Sequence, residues 1–282
     1  MPTSQAEKAK RFQALHDSPG AFVIPNPWDA GTARILAGLG FEALTTTSAG
    51  LAFALGRRDG DGSVTREDAL ENARAIVDAT DLPVAADLEN GYGDSPEAAA
   101  ETVRLAAEAG LVGASIEDAT GDRQNPIYDF GQAVERVAAA AEAARALPFP
   151  FMFVARAENF LHGRPDLDDT IRRLLAFEEA GADVLYAPGL AKAEEIRAVC
   201  SAVGKPVNVV MGLKSASLSV ADLSSLGVKR ISLGSSLARA AWTGFVRAAR
   251  EIREHGTFAF GEEILSFADV SAMIGGTRSG GR

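Results

Sequence analysis

The stretch 82–93, Leu-Pro-Val-Ala-Ala-Asp-Leu-Glu-Asn-Gly-Tyr-Gly, runs a short apolar segment into two carboxylates and then a glycine-rich turn. On an extended chain Asp87 and Glu89 leave the same face, because side chains alternate. Carboxylates so placed repel each other unless a proton, an arginine or a metal ion sits between them. A divalent ion held by few carboxylates, with water and a substrate oxyanion completing its shell, suits the pair. Magnesium prefers such oxygen ligands, and manganese is an admissible substitute.

Other apolar runs end in residues of related chemistry. Ser115-Ile116-Glu117-Asp118 brings Glu117 to the pair as a third acid, placed to act on the metal through water. Phe151-Met152-Phe153-Val154-Ala155 ends in Arg156-Ala157-Glu158-Asn159. An arginine emerging from an apolar strand into carboxylates is costly unless it clamps an anion, and its fork suits a carboxylate or an enolate oxygen. Thr45-Thr46-Thr47-Ser48-Ala49-Gly50-Leu51 offers hydroxyls and backbone N–H groups to a carboxylate or phosphonate. Asn208, inside Val207-Asn208-Val209-Val210, is a buried amide that needs a partner. The reacting set is therefore read as Arg156, Asp87 and Glu117. Arg156 and Asn208 are the expected substrate contacts, with Asp87 and Glu89 the expected metal pair and Glu117 reaching the ion through water.

These residues need a scaffold that brings strand ends together. A polar helix is expected over 5–17, outside the rest. Strands are expected near 21–25, 42–47, 82–87, 112–117, 150–155, 182–186, 206–210 and 228–233. Helices are expected near 29–38, 66–79, 95–109, 131–146, 168–180, 191–203, 219–226 and 236–255, with Asp29 capping the first of this set. Alanine-rich helices close on Gly40, Gly110, Gly181 and Gly227, and an apolar strand follows each. Eight such pairs predict one α/β domain over 1–282, a (β/α)8 TIM-type barrel with its core at about 20–255. No Gly-x-Gly-x-x-Gly follows the first strand, which argues against a doubly wound sheet. The extension 256–282 adds an amphipathic helix that a closed barrel cannot hold, so it is expected to pack on another element or another subunit.

Composition narrows the function. Twenty-eight Lys and Arg against 38 Asp and Glu give a net charge of −10, which disfavours nucleic acid and anionic membranes as partners. No signal-peptide core and no membrane-length apolar run is visible, so a cytoplasmic, reducing compartment is expected. The single cysteine, Cys200, excludes an internal disulfide and is read as a buried helical thiol. Lys205, Lys214 and Lys229 are badly placed for a Schiff base at a strand's C-terminal end. His16 and His255 flank the barrel, and His162 alone falls near its mouth. Tyr92 and Tyr128 could reach the mouth as proton donors.

Asp87-Leu88-Glu89-Asn90-Gly91-Tyr92-Gly93, Gly113-Ala114-Ser115-Ile116-Glu117-Asp118 and Val154-Ala155-Arg156-Ala157-Glu158 resemble three signature stretches of the isocitrate lyase/phosphoenolpyruvate mutase superfamily. The resemblance implies a magnesium-dependent barrel acting on 2-oxo acids through an enolate, usually a tetramer that exchanges its last helix between subunits. It implies that Asp87 binds the metal, that Glu89 and Glu117 hold it through water, and that Arg156 contacts substrate. It also implies that Ser48, Ala49 and Gly50 cradle the substrate carboxylate. The chain departs from the family's lyases at Ala119-Thr120-Gly121-Asp122-Arg123-Gln124-Asn125-Pro126, which lacks their loop lysine, cysteine and histidine. Of the phosphonate-handling pattern only Asn125 remains, with Arg123 as a stand-in cation. The expected function is lysis of a carbon–carbon bond in a small 2-oxo acid, such as oxaloacetate decarboxylation or a retro-aldol cleavage. The alternatives are phosphonopyruvate mutase or hydrolase chemistry, and a non-catalytic 2-oxo acid binder.

Overall fold

The apolar runs form eight strands, and most alanine-rich stretches form the helices between them. The strands are β1 (Phe22–Ile24), β2 (Leu44–Thr45), β3 (Val84–Asp87), β4 (Gly113–Glu117), β5 (Met152–Arg156), β6 (Val184–Tyr186), β7 (Val207–Val210) and β8 (Arg230–Ser232). The first helices are α1 (Gln5–Asp17), α2 (Ala30–Gly38), α3 (Ser48–Ala54), α4 (Arg66–Asp78), α5 (Pro96–Glu108) and α6 (Phe130–Arg145). They are followed by α7 (Leu167–Glu179), α8 (Ala193–Ala202), α9 (Val220–Ser225), α10 (Ser236–His255) and α11 (Phe267–Gly275). This computed structural model describes residues 3–212 and 218–275.

Every ladder is parallel, in the order β1-β8-β7-β6-β5-β4-β3-β2. The Thr45 N–H donates to the Pro25 carbonyl at 3.1 Å across the remaining gap, so the sheet is a nearly closed (β/α)8 barrel. The helix closures behave as their sequence requires. Gly40, Gly110, Gly181 and Gly227 leave α2, α5, α7 and α9 with φ of 88°, 90°, 105° and 97°, a left-handed turn that a Cβ would disfavour. Asp29 caps α2, its carboxylate accepting from the Thr32 N–H at 2.7 Å.

Register aligns the inward side chains. Phe22 pairs with Arg230, Arg230 with Asn208, Asn208 with Tyr186, Tyr186 with Arg156, and Arg156 with Glu117. Paired residues share a face of the sheet, so one largely polar row winds through the lumen from β1 to β4.

Helix α1 forms as expected but does not lie outside. Phe12 is fully buried and packs with Ile24, Ala43, Ala85, Val112 and Val154, so α1 plugs the N-terminal end of the barrel. The burial of Phe12 depends on the barrel's open end, which the local polarity of α1 does not reveal. His16 is also buried, edge-on to Phe12 and Phe22 at 4.8 and 5.0 Å, and its Nδ1–H donates to the Phe12 carbonyl at 2.8 Å. Burial, reinforced by the charge of Arg230, pushes His16 down to about 3. The folded protein therefore holds His16 neutral, whereas the unfolded chain takes up its proton as pH falls below about 6.5. Stability from this site is complete above pH ~6.5 and falls by about 1.4 kcal/mol per pH unit from there toward 3. Urea unfolding should show His16→Phe losing less stability than the parent between about pH 7 and about pH 4.5. Identical acid sensitivity would remove His16 as the cause.

The C-terminal extension contains a 3-10 turn (Ala259–Glu262) and α11. Helix α11 rests on α2 of the same chain, where Arg34 Nη1 donates to the Ile274 carbonyl at 3.3 Å. Its other side remains open, with Phe267 90% exposed. No helix among the described residues is long and apolar enough to cross a membrane.

Candidate active site

The C-terminal strand ends converge on Arg156, the last residue of β5. Its guanidinium bonds three carboxylates: Nη1 to Asp87 Oδ1 at 2.9 Å, Nη2 to Glu117 Oε2 at 2.9 Å, and Nε to Glu158 Oε1 at 2.8 Å. The Tyr186 ring lies 5.1 Å from it. The other oxygen of Asp87 accepts from the Ser48 hydroxyl at 3.0 Å and faces the Ser48 N–H at 3.4 Å. Behind this layer, the buried Asp118 accepts from the Glu158 N–H at 2.8 Å and from Arg173 Nη1 at 3.0 Å. That second ion pair fixes the backbone carrying Glu158.

Glu89 leaves β3 with φ of 47°, and Tyr92 follows at 58°. Left-handed backbone at non-glycine residues is strained and must be held by its surroundings. Arg136 of α6 does so, donating to the carbonyls of Asn90, Gly93 (2.7 Å) and Ser95 (3.2 Å). Asn90 Oδ1 accepts from the Tyr92 N–H at 3.0 Å.

Two spaces meet at Arg156. An inner cavity of about 160 Å³ runs into the lumen and is bordered by Ser48, Ala49, Asp87, Arg156, Tyr186 and Asn208, among others. A wider cleft of about 800 Å³ lies outside, with Asp59, Glu89, Glu117, Glu158 and His162 on its walls.

The charges do not balance locally. Burial, then the charges of Asp87 and Asp59, raises Glu89 to about 7 despite Arg156. Burial also raises Glu158 to about 7 and Glu117 well above the carboxylate range, against the pull of Arg156. Asp59 is raised by burial and by Asp87. Arg156 is disfavoured as a cation by burial, but Glu117, Glu158 and Asp87 outweigh this and hold it charged.

Five carboxylates around this one arginine leave negative charge in excess. Among the described residues no three His, Cys, Asp or Glu converge closely enough to grip an ion by themselves. Together these facts suit a hydrated divalent ion held by one or two carboxylates and otherwise by water, the habit of magnesium. The donor set fits such a group.

Asp87, Glu89, Glu117, Arg156, Ser48, Ala49 and Asn208 thus border two adjoining spaces. Gly50 does not: it is buried beside the wall, and its N–H donates to Thr47 Oγ1 at 3.2 Å. A Cβ there would meet Thr47 Cγ2 at 2.5 Å, so its role is close packing. Ser48 and Ala49 open helix α3, which a run of three threonines disguises as strand. Tyr92 borders the outer cleft, whereas the Tyr128 hydroxyl donates to Asp94 at 2.6 Å. Lys205 and Lys229 precede β7 and β8 at the far end of the barrel, and Lys214 lies outside the described residues. The half-buried Cys200 is pushed up to about 11 by burial and stays a thiol.

Sequence reasoning passed over Asp59, Glu158, Asp118, Arg173 and Tyr186. Glu158 was findable, being two residues from Arg156 and so on its face. Asp59 was not, because only the folded loop brings it to the strand ends.

A parallel barrel that collects acids, an arginine and a lumen cavity at the C-terminal ends of its strands has the layout of a barrel enzyme for a small anion. The sequence profile described as phosphoenolpyruvate phosphomutase matches residues 12–253. The chain belongs to that family, within the PEP mutase/isocitrate lyase superfamily. A structure from Burkholderia cenocepacia, provisionally assigned as a lyase or mutase, is 59% identical, with a TM-score of 0.94 and 97% of each chain covered. The structure of oxaloacetate acetylhydrolase with its product oxalate is 25% identical, with a TM-score of 0.86, over 97% of this chain and 95% of that one. The 2-methylisocitrate lyase of Halalkalibacterium halodurans is 28% identical over 267 residues, 93% of this chain and 87% of the relative.

Proposed function

We propose that the protein is a magnesium-dependent lyase that cleaves a carbon–carbon bond of a small 2-oxo acid, with oxaloacetate the simplest substrate. The observation that carries this reading is the joining of Arg156, Asp87 and the Ser48–Ala49 turn on the wall of one small cavity. Asp87 would hold the metal directly and Glu89 and Glu117 through water; manganese could take its place. The bound ion supplies Lewis acidity toward the 2-oxo acid. Arg156 binds and orients the substrate oxyanion, and the first turn of α3 faces the carboxylate end. Asn208 contacts the substrate from β7. When the bond breaks, its electron pair remains as the enolate, and Arg156 lies where that negative charge develops. Glu158, raised by burial to about 7, is a carboxyl of the cleft able to exchange a proton at neutral pH, in place of the loop thiol that the 119–126 segment lacks.

Purified protein with oxaloacetate and magnesium is expected to release pyruvate and carbon dioxide or, with one water consumed, acetate and oxalate, well above the spontaneous metal-catalysed rate. EDTA should abolish the excess. Bound oxaloacetate that stays intact would instead mark a 2-oxo acid binder. Membership of a family described by phosphoenolpyruvate phosphomutase favours phosphonopyruvate as the second candidate. An unchanged phosphorus NMR spectrum over hours with phosphonopyruvate and magnesium would dismiss it.

We further propose a homotetramer built on the open faces of α10 and α11, in which the terminal helix leaves α2 of its own chain and takes the equivalent place on a neighbouring subunit. Supporting it are Phe245 on α10, Phe267 on α11, and Phe258 and Ile264 in the segment that joins them, all at least 64% exposed. Light scattering should return about four times the 29.4 kDa chain mass; a monomer at micromolar concentration would sink the idea.

A further inference from the structure

Arg230 is a second guanidinium in the same lumen, and among the described residues it has no counter-charge. It begins β8, is buried, and borders the inner cavity that Arg156 and Asp87 border from above. Its Nε and Nη1 have no hydrogen-bond partner among the described residues. Its visible support is the Phe12 ring, 5.6 Å away on the floor. Such a contact offsets only part of what burying an unpaired charge costs. Water in the cavity can solvate the group but leaves its charge uncompensated. Burial lowers Arg230 to about 10, so it remains a cation at neutral pH.

The neighbours are neutral and polar. Asn208 and Tyr186 are the next residues on the row that leads to Arg156, and Ser232 lies one inward position along β8. Asn208 Nδ2 donates to Ser232 Oγ at 3.0 Å, and its buried Oδ1 is unpartnered. Turning that amide by 180° would let Oδ1 accept from Ser232 and aim the NH2 at the same space. Hydroxyl and amide donors beside an unpaired guanidinium make an anion pocket. Arg156 and Arg230 stand three strands apart, at about 4.8 Å per strand, on opposite sides of one narrow cavity.

We propose that Arg230 forms the floor of a second anion subsite, which holds the distal carboxylate of a dicarboxylic 2-oxo acid whose 2-oxo end sits at Arg156 and Asp87. The inference rests on the 2-oxo acid reading and names its substrate class. Dicarboxylates are selected over monocarboxylates at the floor of the barrel, below the residues that react.

Calorimetric titration of the magnesium-loaded protein with 3,3-difluorooxaloacetate and with pyruvate tests this without turnover. The parent should prefer the dicarboxylate. Arg230→Met should weaken it on the order of 10- to 100-fold and leave pyruvate unchanged. Arg230→Lys, which keeps the charge, should retain part of the preference, and it serves if the methionine variant fails to fold. A parent that binds both ligands equally overturns the floor subsite alone. A parent that binds neither removes the 2-oxo acid reading and this inference with it. Equal weakening of both ligands by Arg230→Met makes the residue structural and also overturns the proposal. Chloride that raises the melting midpoint of the parent but not of Arg230→Met, with the dicarboxylate preference intact, assigns the floor to a free anion and overturns it too.

Discussion

Asp87→Ala is expected to abolish metal-dependent turnover, lowering kcat/KM at least on the order of 10³-fold. Three groups meet at this carboxylate: the Arg156 fork on one oxygen, the Ser48 hydroxyl on the other, and the proposed metal. Alanine removes the proposed direct ligand and frees Arg156 to collapse onto Glu117 and Glu158. Metal affinity, measured by calorimetry with magnesium or manganese alone, should fall with activity, because the remaining acids reach the ion through water. Asp87→Asn is the informative companion, since it keeps the shape and hydrogen-bonding capacity at the Ser48 side but lacks the charge. Full activity in either variant would strip Asp87 of the metal assignment.

Arg156→Ala should damage both chemistry and fold. It removes the cation from Asp87, Glu117 and Glu158, two of which are raised even with the arginine in place. Breaking a buried ion pair on one side typically costs about 3–5 kcal/mol. Glu117 and Glu158 would then relieve their repulsion by taking up protons, so the loss should grow as pH rises and those protons leave. Urea unfolding at several pH values reads this slope, and steady-state kinetics reads a fall in kcat/KM on the order of 10²-fold or more. Arg156→Lys separates the two effects. A single ammonium restores charge but cannot span three carboxylates with a planar fork, so stability should recover further than activity. A variant as stable as the parent at every pH would show that the carboxylates do not need the arginine.

The scaffold was legible because it rests on local rules. Glycine closures and apolar runs place the eight strands and most helices within a few residues, and the alternation of side chains put Asp87, Glu117 and Arg156 at strand ends. What stayed hidden depends on distant parts of the chain. The burial of Phe12 and His16 follows from the open end of a barrel, which nothing in the polar sequence of α1 announces. Asp59 reaches the strand ends only when the 55–64 loop folds over them. Helix α3 was masked because Thr45-Thr46-Thr47 has strand-like composition, yet the Thr47 side chain also serves as a helix cap. Arg230 could be seen as a strand residue, but its lack of a counter-ion is a property of the assembled lumen.

The left-handed backbone at Glu89 and Tyr92 bears on how this barrel can be altered. Such positions cost of the order of 1–3 kcal/mol each, and here they turn the chain so that the second acid of the pair faces the cleft. Glycine would relax both positions, but at 89 it would delete the carboxylate that the turn exists to present. Selection for heat tolerance alone would therefore be drawn to the segment that turnover can least spare. In laboratory evolution, this short loop after β3 is where gains in melting temperature and losses in rate should appear together.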